Sequence, residues 1–180
     1  GTISMNINGT NMNYFTATAR LFVMKIDSNG DYEWFSTASY PTSSSMIRSI
    51  SLDGNGSLYV PGHFYGYLEL GPTSLSTGGT QRGFVAELNS TGDWVSALKI
   101  NSASHSIAND VLATSNGGFL VTGGFEGILS MGSVSLNPSG GQRDIFLLEF
   151  SQSASAVWGL SGGGNSNDRG LHIGNDSAGN

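Results

Sequence analysis

The sequence predicts an all-β fold made of repeated antiparallel sheets, and three observations support this prediction. Glycine is abundant, with 27 residues among 180, whereas Asp, Glu, Lys and Arg together make up only 11%. Short runs of β-branched and aromatic residues are separated by turns rich in Gly and Asn, which is typical of many short strands. Similar segments also recur at an interval of about 61 residues. No long stretch shows helical periodicity.

Three blocks recur in one order and with nearly constant spacing, which identifies internal repeats. The first block is ISLDGNGSLYVPGHFYG (50–66), VLATSNGGFLVTGGFEG (111–127) and the start IGNDSAGN (173–180). The second is RLFVMKIDSNGDYEW (20–34), RGFVAELNSTGDWVS (82–96) and DIFLLEFSQSASAVW (144–158). The third is GYLELGPTSLSTGG (66–79) and GILSMGSVSLNPSGG (127–141), and residues 1–19 look like a diverged copy of it.

Each repeat is predicted to form strands joined by tight turns. The segments SLYVPGHF and GFLVTGGF alternate in polarity, and FVMKI, FVAEL and IFLLEF are apolar runs with one charged position in common. Lys25, Glu87 and Glu149 occupy that position, which indicates a structural place from which the charged group reaches solvent. Residues 28–31, 53–56 and 115–118 are predicted hairpin turns. Pro61 lies inside a strand and therefore predicts an edge strand or a bulge.

The segments WGLSGGGNSNDRGLHIGNDSAGN (158–180), LYVPGHF (58–64) and GFVAELNSTGDW (83–94) resemble the SBBP-type β-propeller repeat. The match is best in the last repeat, through Trp158, Asp168, Gly170, Asp176, Gly179 and Asn180. The resemblance implies propeller blades, each a four-stranded antiparallel sheet, in a secreted or surface protein of bacteria or archaea. It implies a scaffold and no reaction. Arg20 and Arg82 depart from the family's Asp, which Asp144 keeps, and the turn SQSAS (151–155) lacks the family's Gly.

The repeats predict one continuous propeller-type domain that forms an incomplete arc of about three blades. Its parts are a partial first repeat (1–47), a second repeat (48–108), a third repeat (109–168) and the start of a fourth (169–180). Since propellers typically have 4–8 blades, we expect the chain to be a piece of a longer reading frame. Two copies could also complete a six-bladed ring, which predicts a homo-oligomer.

Charge and composition bear on the class of partner and on the compartment. The net charge is −6 and the chain has only seven Lys and Arg residues, which argues against nucleic-acid binding. No apolar run approaches the roughly 20 residues of a membrane span, so we expect no membrane insertion. The chain has no Cys, which excludes disulfides and thiolate metal sites. Abundant Ser, Thr, Asn and Gly favour a secreted or cell-surface protein.

One turn is a candidate calcium site, although no cofactor is the main prediction. Asp27, Asn29 and Asp31 place oxygen ligands on alternate residues beside Gly30, as calcium loops do. The alternative interpretation is that Asp and Asn are present because they tolerate turn geometry. His63, His105 and His172 fall at unrelated positions of the repeat, which predicts surface or lining residues rather than a metal site.

Trp34, Trp94 and Trp158 are the candidate ligand-binding residues. Exposed aromatic rings at the rim of a propeller could stack on sugars, whereas buried rings would form the core. Trp34 and Trp158 occupy the same position of the repeat, and Trp94 is displaced from it by two residues. A displacement of two should keep Trp94 on the same strand face.

The sequence specifies no catalytic residues, because no carboxylate pair or Ser/His/Asp arrangement is set by spacing. We therefore expect a non-catalytic extracellular scaffold or binding module that presents loops to a protein or glycan partner. The alternative is a carbohydrate-active hydrolase or lyase built on a propeller.

Overall fold

A computed structural model describes residues 2–15, 21–39 and 44–176, and every regular element in these residues is a β-strand. The predicted all-β class is therefore confirmed. Arg20, Gly179 and Asn180, which entered the repeat comparison, lie outside the described residues. Two hairpins come first, namely β1 (Thr2–Ile7) with β2 (Thr10–Phe15), and β3 (Phe22–Ile26) with β4 (Tyr32–Thr37).

Two larger antiparallel sheets follow, and each contains an inserted hairpin between its second and third long strands. The first sheet comprises β5 (Met46–Ile47), β6 (Ser51–Leu52), β7 (Leu58–Phe64), the hairpin β8 (Tyr67–Leu70) with β9 (Thr73–Ser76), then β10 (Arg82–Leu88) and β11 (Trp94–Ile100). The second comprises β12 (Ser106–Ala113), β13 (Phe119–Phe125), the hairpin β14 (Leu129–Met131) with β15 (Val134–Leu136), then β16 (Asp144–Phe150) and β17 (Ala156–Gly162).

The two sheets have the same construction. The strand order is β11-β10-β7-β5, with β6 also on β7, in the first sheet and β12-β13-β16-β17 in the second. β7 and β13 begin 61 residues apart, and β10 and β16 begin 62 residues apart. By the same alignment β3 and β4 match the last two strands of a sheet. Residues in matching places are called equivalent below. The predicted boundary between residues 108 and 109 falls inside β12.

Face-to-face packing of successive sheets forms two apolar clusters. One cluster lies between the two sheets, where the Tyr59 ring is 4.6 Å from the Phe119 ring and Phe119 stacks on Phe150 at 5.0 Å. The other lies between the first sheet and the β3–β4 hairpin, and it buries Val23 together with Phe84. Each fully buried ring contributes about 2 kcal/mol through the hydrophobic effect. The sheets are therefore held together mainly by their faces.

The third and fourth strands of every unit are joined by the same five-residue turn followed by a β-bulge. The strand register shifts after Lys25, Glu87 and Glu149, which are equivalent residues. In each turn the first N–H donates to the fifth C=O, and the fourth N–H donates back to the first C=O. The fourth residue adopts a left-handed conformation in all three turns, and this residue is Gly30, Gly92 or Ala154.

Pro61 lies in β7, an interior strand, rather than on the predicted edge strand. The irregularity appears in the neighbouring strand, which breaks into β5 and β6 opposite Pro61. The Pro61 C=O accepts a hydrogen bond from the Arg48 N–H on that side. Because the N and O of one strand residue point the same way and proline has no N–H, the ladder toward this neighbour loses a donor there.

Residues 168–173, in the predicted start of a fourth repeat, lie over the second sheet. The Asp168 N–H donates to the Arg143 C=O, just as the equivalent Ser106 N–H donates to the Gln81 C=O. The Gly170 N–H donates to the Gly123 C=O. This segment therefore repeats, at the next position, the way in which β12 begins against the first sheet.

The turn at Ala154 generates a stability prediction. Ala154 has φ of +56°, and a left-handed conformation costs a residue with a Cβ about 1–2 kcal/mol. Part of the gain from glycine is offset by its greater freedom in the unfolded chain. We therefore expect Ala154→Gly to raise the free energy of unfolding by about 1 kcal/mol, measured by urea denaturation.

Gly30→Ala is the matched control for this substitution. Gly30 has φ of +84°, and a Cβ there would have no atom within 4 Å, so only the backbone conformation is tested. This control should lower the free energy of unfolding by about 1 kcal/mol. A neutral or destabilising Ala154→Gly would contradict the assigned turn geometry.

Candidate binding groove

Trp34 lies at the junction between the β3–β4 hairpin and the first sheet. Its indole Nε1 donates to the Ser90 C=O at 3.1 Å, and its ring lies against Gly92. A Cβ at Gly92 would come within 2.5 Å of the ring, so only glycine allows this contact. The neighbouring Ser36 hydroxyl also donates to the Gly92 C=O. Trp34 is therefore fixed on the turn that follows β10.

An apolar groove of about 320 Å³ opens beside Trp34. Ile50 and Leu52 on its wall are 53% and 63% exposed, which is unusual for aliphatic side chains. The Lys25 Nζ forms an exposed 2.6 Å ion pair with the Glu33 carboxylate beside the groove. The complete lining consists of Val23, Met24, Lys25, Trp34, Ile50, Leu52, Gly56, Leu58 and Ser90. An apolar concave surface with a few polar groups is the usual character of a ligand site.

The equivalent place between the first and second sheets is almost filled. Only about 50 Å³ remains there. The Tyr59 ring occupies this space, and its hydroxyl donates to the Gly117 C=O at 3.3 Å. Six lining residues of the groove have equivalents in this smaller cavity, namely Val85, Ala86, Glu87, Ser96, Phe119 and Gln152. The groove is therefore a junction of the same kind that lacks its tyrosine.

Trp158 is equivalent to Trp34 but lies outside the groove. It is 37% exposed on β17, beside Leu160, which is 62% exposed. Trp158 pairs with Glu149, as Trp34 pairs with Lys25, so the two rings share one face of their respective sheets. Within the described residues no further sheet covers Trp158.

Trp94 does not keep the strand face of Trp34, so this part of the prediction is wrong. The β-bulge pairs Trp94 with Leu88, whereas Ser96 pairs with Glu87. A bulge adds one residue to a strand and so breaks the simple alternation of faces. Trp94 is only 9% exposed in the core, and its Nε1 donates to the Thr37 C=O at 3.0 Å. The structure therefore separates the three candidate tryptophans; their role in ligand binding stays a prediction.

The candidate calcium residues form a hydrogen-bonded turn. The Asp27 carboxylate accepts 2.8 Å hydrogen bonds from the N–H groups of Asn29 and Asp31. The Asp31 N–H bond is the main cause that lowers the pKa of Asp27. Asp53 accepts the same pair of bonds from Asn55 and Ser57. These side chains thus have a structural role, and in the described part of the chain no group of three His, Asp or Glu residues is placed to hold a metal ion.

One polar cluster was not predicted from the sequence. The Glu126 carboxylate lies 2.8 Å from His105 Nδ1 and accepts a 2.9 Å hydrogen bond from Arg143 Nη2. Burial raises the pKa of Glu126, but the bonds from His105 and Arg143 lower it below its usual value. Ser104 Oγ lies 3.1 Å from the same His105 Nδ1. A nucleophile and an acid on one ring nitrogen do not make a catalytic triad, which needs them on opposite nitrogens.

The pairing of β13 with β16 explains this cluster. Phe125 is opposite Asp144, which brings the adjacent residues Glu126 and Arg143 side by side. Their separation of 17 positions in the sequence carries no such signal. Only the exact register of the two strands would have identified the pair.

The two ends of the sheets carry different charges. The turns after the third strands, together with the turn at residues 53–57, hold Asp27, Asp31, Asp53 and Asp93 at one end. Arg82 and Arg143 lie at the opposite end, where β10 and β16 begin, and the Arg169 side chain lies near Gly124 there. An extended ligand along the groove would run from acidic toward basic surroundings.

His63 is buried near the basic end, rather than exposed. It is only 7% exposed, and its Nδ1 has no hydrogen-bond partner in the described residues. Burial, followed by the charges of Arg48 and Arg143, lowers the pKa of His63 from 6.5 to about 4. The imidazole is therefore neutral in the folded protein at pH 7.

No protein-family model matches this chain, and no curated protein is significantly similar to it. The resemblance to the SBBP repeat therefore stays a prediction. Among the described residues, no helix is long and apolar enough to cross a bilayer.

The buried histidine predicts a pH dependence of stability. The unfolded chain takes up a proton on His63 near pH 6.5, whereas the folded protein does so only near pH 4. Stability is therefore complete above pH 6.5 and falls as the pH drops from 6.5 to about 4. The loss should approach about 3 kcal/mol, measured by urea unfolding across this range.

His63→Gln should remove this part of the pH profile. His172→Gln is the control, because the His172 side chain is 88% exposed, and it should leave the profile unchanged. A wild-type profile that is flat between pH 6.5 and 4.5 would contradict the assignment.

Proposed function

We propose that the chain is a non-catalytic extracellular binding module built of β-propeller blades, and that it binds a protein or glycan ligand in the groove beside Trp34. The groove carries this proposal. It combines an aromatic wall, exposed Ile50 and Leu52, and a nearby ion pair of Lys25 with Glu33. Aromatic rings flanked by polar groups suit both sugar faces and peptide side chains.

The propeller assignment is supported by the repetition of one sheet design. Both sheets insert a hairpin at the same point, and their faces pack on one another in sequence order. Blades of about four antiparallel strands that pack face to face are the units of propellers. The resemblance to the SBBP repeat adds to this support and favours a secreted or surface location.

Substitution of Trp34 tests the proposed binding site. Trp34→Ala should abolish retention on glycan and peptide arrays, because the wall of the groove is lost, while wild-type protein is retained without turnover. Trp158→Ala removes the equivalent ring from outside the groove and should preserve retention. Equal loss in both variants would contradict this placement. Release of reducing ends from a polysaccharide, abolished by Glu126→Gln, would favour the hydrolase or lyase instead.

The proposal includes a homo-oligomer in which two copies complete a ring. Apolar side chains are exposed on the outer faces of the first and last units, for example Phe22 at 42%, Ile26 at 50% and Leu160 at 62%. These faces correspond to ones that are covered between successive units within the chain. We expect light scattering at micromolar concentration to give twice the mass of the chain. A monomeric mass would contradict the ring.

A further inference from the structure

The strand β3 has one unpaired edge within the described residues. It pairs with β4 only, whereas its equivalents β10 and β16 each pair with a strand on both sides. On the second side, β10 makes a seven-residue antiparallel ladder with β7. An unpaired strand edge presents free N–H and C=O groups that can pair with another extended chain. β3 therefore offers a place for one more strand.

A slot runs along this edge, between β3 and the first strands of the first sheet. The Trp34 groove forms one part of it, and a second cavity of about 240 Å³ forms the other. The second cavity is lined by Leu21 and Phe22 on one side and by Ser45, Met46 and Ile47 on the other. Together the two cavities follow β3 over its length.

Two buried hydroxyl groups beside the slot lack hydrogen-bond partners. Ser45 Oγ and Ser49 Oγ are both inaccessible and unpaired in the described structure. At the next junction Ser106, the equivalent of Ser45, accepts from the Gly83 N–H and donates to the Ile100 C=O. Unpaired buried polar groups are uncommon in folded proteins. They indicate that this junction is polar as well as apolar, and is incompletely filled.

The next junction shows what fits such a slot. There β7 lies along β10 and directs Tyr59 onto Phe119, at a ring distance of 4.6 Å. The equivalent of Phe119 is Leu58, which lines the Trp34 groove, and the equivalent of Gly117 is Gly56. An occupant with the pattern of β7 would therefore place its tyrosine on Leu58, with Gly56 near its hydroxyl.

We propose that the slot binds an extended peptide segment of a protein partner, which adds to β3 as an antiparallel strand and places an aromatic side chain in the Trp34 groove. This inference rests on the proposed function and narrows its ligand to a peptide. Main-chain hydrogen bonds to β3 would supply affinity, and the groove would select the aromatic residue, as in other cases of strand addition.

The register of β7 identifies which peptide N–H groups would meet β3. Pro61 directs its C=O to Arg48, on the side away from β10. Alternate residues of an antiparallel strand point their polar groups to opposite neighbours. Tyr59 and His63 therefore face away from β10, whereas Val60 and Gly62 face it. In a bound copy of this segment, the Val60 N–H would bond to β3 and the His63 N–H would not.

The test uses synthetic peptides with the sequence of residues 57–64, SLYVPGHF, titrated into the complete chain by calorimetry. The parent peptide should bind, and replacement of its tyrosine by serine should weaken binding at least about tenfold, since the groove loses its aromatic occupant. Methylation of the Val60 nitrogen should abolish binding. Methylation of the His63 nitrogen is the matched control and should change it less than about threefold.

Absence of parent-peptide binding, or equal effects of the two methylations, would overturn the inference. Glycan retention that is lost in Trp34→Ala, without peptide binding, would overturn it while leaving the proposed function intact. Binding of the parent peptide that is lost in Trp34→Ala would support both.

Discussion

Tyr59 and Phe119 meet ring to ring between the two sheets, and the rest of the structure depends on this kind of contact. Each sheet is apolar on both faces, so neither is stable until a neighbour covers it. The inner face of the second sheet is covered by Tyr59, Val85 and Ile100 of the first. The other face of the first sheet is covered by Leu21 and Val23. Repetition along the sequence thus becomes stacking in space.

The candidate site is a consequence of this stacking. Where the junction is complete, Tyr59 leaves only about 50 Å³ empty; where no equivalent tyrosine is present, about 320 Å³ remains beside Trp34. The same difference leaves one edge of β3 unpaired and the Ser45 hydroxyl without a partner. A binding groove can therefore arise from an ordinary repeat interface, without any specialised loop.

The sequence predicted the strands, the turns and the interval of the repeat, because these depend on local polarity and on Gly and Asn positions. It did not predict the core position of Trp94, since a bulge of one residue reverses the face on which a side chain lies. The Glu126–Arg143 pair was also beyond it, because strand register brings these residues together. Trp34 was predicted as a ligand contact, but the groove beside it depends on which neighbouring strand is missing.

Amide hydrogen exchange tests the central claim most directly, namely that the junction at β3 is the open counterpart of the closed junctions. The residues to compare are the equivalents Met24, Ala86 and Leu148, whose N–H groups point toward the place of β7 or β13. The account predicts that the Met24 amide exchanges at least about a hundredfold faster than those of Ala86 and Leu148. Comparable protection of all three amides would contradict it.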